Sequence, residues 1–281
     1  MNTSTEGGSP RRGIGLARFF TSWWRDLFLA LSFFTRLPVG FMAPKVPQSI
    51  PGTEPATPQF RLGEASRAFP LAGLVIGLAG GLAYWIAVKL GLSGLLAALL
   101  AVAATAALTG ALHEDGWADF ADGLGCRGDR VRKLAAMKDS HIGSFGVLAL
   151  IFATGIKVAA LVAIGAPDRV AAALVAAHVL SRSVLPLAMR SLPLATAQGL
   201  AVMAGRPSAQ GVYVSLGLGL IISFFAIFLP GAIVALIVAI VAAALVGAIA
   251  KQHFGGYTGD VLGAIEQVAE IAVLINLVSL A

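Results

Sequence analysis

The sequence predicts an all-α fold: a polytopic transmembrane helical bundle of about seven spans, with an interfacial N-terminal helix. Composition, long uncharged runs and the placement of basic residues carry that reading. The chain has 281 residues, 58% of them hydrophobic and only 12% charged, with a mean hydropathy of +0.87. A water-soluble domain of this size needs far more charge to cover its exterior. Ala68 to Val88 is 21 residues without a charge, Leu90 to Leu112 is 23, and Pro207 to Ala250 is 44. About 20 apolar residues cross a bilayer, so the longest run suffices for two crossings, turned at Pro230-Gly231. The formal charge of +6 reads as basic loops held on one side of a membrane rather than as a nucleic-acid surface.

Taken in order, residues 1–25 are expected to be a flexible tail without the layout of a cleavable signal peptide. Residues 26–281 are expected to form a single integral-membrane domain, the one that would carry any catalytic residues. Apolar segments fall near 27–43, 68–88, 90–112, 143–165, 170–189, 212–229, 232–250 and 261–281. The first holds Arg36 and Pro38 and suits the interface better than the bilayer core. Five prolines in Pro44–Pro58 mark a mobile loop. If every segment from 68–88 onward spans, loops 44–67, 113–141, 190–211 and 251–260 share one face. Those loops carry eleven Lys and Arg against two, Lys89 and Arg169, on the other side, which places them in the cytoplasm. The lone Cys126 excludes an internal disulfide and a cysteine-based metal site.

The chemistry gathers directly behind the uncharged run, in T-G-A-L-H-E-D-G-W-A-D-F-A-D-G at 109–123. Asp115, Asp119 and Asp122 are spaced i, i+4, i+7 and share one face of a helix. Each like-charged pair disfavours a bare helix by ~0.2–0.5 kcal/mol, and no Lys or Arg occurs between Lys89 and Arg127. A hard cation with oxygen ligands turns that repulsion into binding, and Mg2+ suits a site completed by phosphate oxygens. Glu114 projects from another face. Gly116 and Gly123 let a phosphate or another helix approach the backbone. His113 is either a hydrogen-bonded structural residue or, by its place beside the acids, a general base or substrate contact.

Arg127, Arg130, Arg132, Lys133 and Lys138 follow as a basic strip able to attract a polyanion, although membrane topology alone accounts for it equally well. Asp139-Ser140-His141 then returns the chain to the membrane face, where Asp139 can add a metal ligand. The turn G-G-Y-T-G-D at 255–260 brings backbone N–H groups where phosphates bind, and Glu266 and Glu270 put further carboxylates early in the last helix. Lys157 and Arg182 lie inside apolar segments, where charge pairs with an acid or faces a cavity.

Together these blocks resemble the cobalamin synthase family, the adenosylcobinamide-GDP ribazoletransferases. The resemblance rests on T-R-L-P at 35–38, F-P-L-A-G at 69–73, the acidic block at 109–123, M-K-D-S-H-I-G-S-F-G at 137–146, S-R at 181–182 and G-G-Y-T-G-D-V-L-G-A at 255–264. Glu114 and Trp117 stand where the family often has apolar residues, and the long tail and proline-rich loop are further departures. The resemblance implies an Mg2+-dependent phosphotransferase of the bacterial or archaeal cytoplasmic membrane, performing the last assembly step of vitamin B12. It implies adenosylcobinamide-GDP and α-ribazole, or its 5′-phosphate, as substrates, with GMP released. Under that reading Asp115, Asp119, Asp122 and Asp139 hold metal, and Asp122 or His113 accepts the hydroxyl proton. Arg36, Lys138, Ser140, Lys157, Arg182, Gly256, Thr258 and Asp260 serve substrate binding. The lipid bilayer is a partner, nucleic acid is not, and a homo-oligomer is compatible with the sequence. Two rivals remain: a CDP-alcohol phosphotransferase of phospholipid synthesis, whose D-x-x-D-G-x-x-A-R frame is spaced differently, and a cation transporter using the aspartates as ion ligands.

Overall fold

A computed structural model describes residues 12–39 and 62–280. The proline-rich stretch 44–58 and residues 1–11 lie outside the described residues. Among the described residues twelve α-helices follow one another. Helix α1 is Arg12–Phe34, α2 Phe69–Lys89, α3 Gly94–Thr109, α4 Leu112–Gly125, α5 Arg130–Ala136 and α6 Ser144–Ile164. Then come α7 Pro167–Ser183, α8 Leu185–Ser191, α9 Leu200–Ala204, α10 Ala209–Ile227, α11 Leu229–Phe254 and α12 Gly259–Val278. Among the described residues six helical segments are long and apolar enough to cross a membrane, or seven if the bent pair α3–α4 counts as one broken span.

Helix α1 begins within the stretch read as a tail and ends before Arg36. Its Phe19, Phe20 and Trp24 are exposed, whereas Asp26 and Phe28 are buried. Arg67, in the 3-10 turn Glu64–Ala68, holds α1 down. Its Nε donates to Asp26 Oδ2 at 2.7 Å, its Nη2 to Ser22 Oγ at 2.9 Å, and its guanidinium lies 4.4 Å from the Trp23 ring. One apolar face left open and one polar face tied inward is the pattern of a helix lying along an interface.

The run Leu90–Leu112, expected to cross as one helix, is broken. Helix α3 has 16 residues, roughly 24 Å at 1.5 Å per residue, short of the ~30 Å hydrocarbon core. Gly110 and Ala111 are both left-handed, with φ of 65° and 55°, and α4 leaves at 91° to α3. Gly110 tolerates that conformation without strain, and the Arg36 side chain fills the space a Cβ there would need. Hydropathy counts apolar residues along the chain and is blind to this change of axis.

The interior is assembled on small residues. Gly73, Gly77 and Gly81 of α2 form a ridge at four-residue intervals against α7. A Cβ on Gly73 would collide with the His178 carbonyl, and one on Gly77 would stand 2.6 Å from Val175 Cα. Such close backbone approach is how membrane helices gain van der Waals contact when lipid is as apolar as leucine. Helix α7 sits innermost and is buried along most of its length, with α2, α10 and α12 packed around it. The hairpin expected at Pro230-Gly231 turns two residues earlier: Phe228 takes φ 62° between α10 and α11, and Pro230 and Gly231 lie in the first turn of α11.

Gly77→Ala should lower the stability of the detergent-solubilised protein by about 1–3 kcal/mol through overpacking against α7. Gly155→Ala, at a position with nothing within 4 Å, should leave it unchanged; equilibrium unfolding in mixed micelles compares the two.

Candidate functional site

Helix α4 is formed as the aspartate spacing predicts, and it crosses α12 at two glycines. A Cβ on Gly116 would stand 3.0 Å from the Asp260 backbone, and one on Gly263 would stand 3.2 Å from Gly116 Cα. That contact brings Asp260, in the first turn of α12, against the aspartate row. Asp119 feels the charges of Asp260, Asp115 and Asp122, and Asp260 feels Asp115 and Lys138. Thr258 caps α12, accepting from the Val261 N–H at 3.3 Å and donating to Asp260 Oδ2 at 3.2 Å. Asp115 is exposed and Asp119 half-buried. No ion pair joins Asp115, Asp119 or Asp260 to a cation among the described residues. Hard carboxylates on adjoining helices, with no ion pair to satisfy them, suit a divalent cation such as Mg2+, while among the described residues only His178, Glu266 and Glu270 already bring three ligand atoms within 4.8 Å of one another.

Asp122 serves a second purpose. Its Oδ2 accepts the Gly143 N–H at 2.7 Å and its Oδ1 the Gly146 N–H at 2.9 Å. A carboxylate at the start of α6 satisfies orphan donors and meets the positive end of the helix dipole. Asp122 also lines a cavity of about 280 Å³ with Asp139, His141 and Ser144. Asp139 is exposed, and the His141 backbone N–H (2.9 Å) and ring Nδ1 (2.9 Å) hold its carboxyl below the usual range. Lys138 and Ser140 are exposed beside it. The expected acids therefore divide: Asp115, Asp119 and Asp260 at the helix crossing, Asp122 and Asp139 at the foot of α6.

His113 lies elsewhere. Two positions from Asp115 is about 200° around a helix, and the ring is buried, stacked 5.5 Å from the Phe34 ring. It faces a charged network among α4, α6, α7 and α12. Arg182 donates to Glu266 Oε1 at 2.6 Å and lies 3.1 Å from His178 Nδ1 and 3.3 Å from His113 Nδ1. Lys157 Nζ stands 2.9 Å from Glu270 Oε1 and 3.9 Å from Glu114 Oε1. Ser181 Oγ donates to Glu266 Oε1 at 2.8 Å, and Gln267 Nε2 to Glu266 Oε2 at 3.0 Å. The sequence left open whether Lys157 and Arg182 pair with acids or meet phosphate; both are buried and paired with acids. Glu266 and Glu270 accordingly point into the bundle, apart from Asp260. The coupling was hinted at by two i, i+4 pairs, His178/Arg182 and Glu266/Glu270, on otherwise apolar helices.

Atoms of His178, Glu266 and Glu270 lie within 4.8 Å of one another, close enough to hold a metal ion. Two fixed cations already neutralise the two glutamates there, so a metal ion would be repelled; the cluster is a charge-balanced lock.

The remaining expected residues gather around the same end. Arg36 donates its backbone N–H to the Leu108 carbonyl at 2.7 Å and lies over Gly110 at the α3–α4 break. Gly256 takes φ 156° and lets the Pro193 carbonyl approach. Leu194 bridges to Tyr257, Arg130 donates to the Ala195 carbonyl at 2.6 Å, and Lys133 stands 3.1 Å from His253 Nδ1. Three loops expected on one face thus touch one another.

A family model described as cobalamin-5-phosphate synthase matches residues 26–278. A protein of Bradyrhizobium diazoefficiens named adenosylcobinamide-GDP ribazoletransferase is 44% identical over 250 residues, covering 89% of this chain and 92% of its own. Proteins of the same name from Sinorhizobium medicae and Allorhizobium ampelinum are 40% and 38% identical, covering 89% and 92% of this chain and 95% and 97% of theirs. No solved structure matches the chain.

Arg182→Met, which strands Glu266 without its guanidinium, should destabilise the protein by about 3–5 kcal/mol. Adding Glu266→Leu should recover much of that loss, as read by equilibrium unfolding of the single and double variants.

Proposed function

The chain belongs to the cobalamin-5-phosphate synthase family of transferases, and from that premise we propose that it joins adenosylcobinamide-GDP to α-ribazole or its 5′-phosphate and releases GMP. The observation that carries the reading is the Gly116–Gly263 crossing, which brings the start of α12 with Asp260 beside the helix face that holds Asp115 and Asp119. Asp115, Asp119 and Asp260 would hold Mg2+, with Asp122 and Asp139 close behind at the start of α6. Bound there, Mg2+ would supply charge stabilisation for the pyrophosphate and the departing nucleotide. The ribose 3′-hydroxyl of α-ribazole attacks the phosphorus attached to cobinamide, a new phosphoester forms, and the bond to GMP breaks. A carboxylate of the row takes the hydroxyl proton. Lys138, close enough to be felt by Asp260, and the strip Arg127, Arg130, Arg132 and Lys133 draw the polyanionic substrate to this end of the bundle. The same basic loops support a site on the cytosolic side of the bacterial inner membrane, since short basic loops stay on that side.

Asp119→Asn should reduce GMP release by at least about a hundredfold, in line with losing an electrostatic contact to developing charge, while membrane insertion and melting temperature persist. Product mass from detergent-purified protein given both substrates is the measurement, and near-normal Mg2+-dependent release by the variant would overturn the role. Stripping divalent cations with EDTA should abolish turnover and Mg2+ should restore it. CDP-diacylglycerol offered in place of adenosylcobinamide-GDP should give no product.

A further inference from the structure

Between α2, α7 and α10 the outer side of the bundle is grooved. One hollow of about 700 Å³ is bordered by Leu78, Leu82, Trp85, Lys89 and Asp168, and a second of about 510 Å³ by Leu74, Val175, Ile222 and Phe225. Leu78 and Ala171 border both, so the two make one groove. Its form follows from the glycine ridge. Helix α7 is drawn so close to α2 that a Cβ on Gly81 would stand 2.8 Å from that of Ala171, and alanines of α7 become the floor. Leucines of α2 and a phenylalanine of α10 stand above it, Leu78 54% and Phe225 80% exposed. From Leu78 to Lys89 is ~17 Å at 1.5 Å per residue, about the depth of one leaflet of a ~30 Å hydrocarbon core.

The mouth of the groove carries two charges of opposite sign. Lys89 Nζ lies 5.5 Å from the Trp85 ring centroid, and Asp168 is exposed in the first turn of α7. Among the described residues no ion pair joins either one to another group. Arg169, the next residue, borders a different cavity with Ile227 and Leu277. Leu277 belongs to the last turn of α12 and Asp260 to its first, so the mouth opens a helix length away from the acidic crossing. We propose that this groove holds one zwitterionic phospholipid, an acyl chain along Leu78 and Leu82, its phosphate on Lys89 and its ammonium on Asp168. A phosphate with an ammonium two carbons away offers one anion and one cation, the complement of Lys89 and Asp168. A lipid with a glycerol headgroup offers the anion alone and sets it beside the Asp168 carboxylate, which repels it. A second copy of this chain seated on the walls would strip water from both charges.

Native mass spectrometry of the full chain, released from micelles holding equal amounts of phosphatidylethanolamine and phosphatidylglycerol with matched chains, tests the assignment. Wild type should retain one lipid and favour the ethanolamine form by about fivefold, which is ~1 kcal/mol, the size of one exposed ion pair. Asp168→Asn should level the two lipids, and Asp168→Lys should invert the preference. Lys89→Gln should lower retention of both while leaving their ratio as in wild type, and it stands in if the Asp168 variants melt early. Equal retention by wild type overturns the proposal, as does a preference that Asp168→Lys leaves untouched. A lipid-free dimer that Phe225→Ala dissociates puts a second copy in the groove and overturns it as well.

Discussion

Two glutamates of α12 meet a lysine of α6 and an arginine of α7 in the interior of the bundle, and the geometry of the whole site hangs on those pairs. A charge left alone at bilayer depth is costly enough that a helix will not keep it there unpartnered. Arg182–Glu266 and Lys157–Glu270 therefore admit one rotation and one height for α12 relative to its neighbours. With that register set, the first turn of α12 presents Asp260 to α4. A slip of α12 by one turn would separate both pairs at once. Buried pairs of this kind add little net stability compared with apolar packing, but they penalise wrong arrangements strongly.

The second constraint is steric. Gly116 and Gly263 let α4 and α12 touch backbone to backbone, so acids from two helices share one small region. Folding thus assembles like charges that repel, and the lock deeper in the bundle holds them there. Rigid support for an electrostatically unfavourable cluster is what a cation site requires, since the repulsion is relieved on binding.

Much of this was legible from residue order. Hydropathy located the spans and the α10–α11 hairpin, and the i, i+4, i+7 spacing placed Asp115, Asp119 and Asp122 on one helical face because α4 is a regular helix. Local pattern failed where distant residues decide. The partners of Arg182 and Lys157 lie 84 and 113 residues away, beyond any periodicity. The break after Thr109 was hidden because threonine, glycine and alanine leave the run uncharged, and only the left-handed pair Gly110-Ala111 turns the axis. His113 looked close to the acids along the chain and is turned from them by the pitch of the helix. Whether Asp122 binds metal is a matter sequence treats as one with its neighbours, whereas the fold gives its oxygens to the N–H groups of Gly143 and Gly146.

That clasp has an architectural outcome. Because Asp122 joins the last turn of α4 to the first of α6, the chain between them, from Cys126 to Ile142, leaves and returns at two points already fastened together. Extending a loop whose ends are pinned costs little in closure entropy. The excursion through α5 therefore starts and ends at fixed points, and its own ties, Arg130 to the Ala195 carbonyl, Lys133 to His253 and Met137 against Gly123, hold its basic side chains over the end of α4.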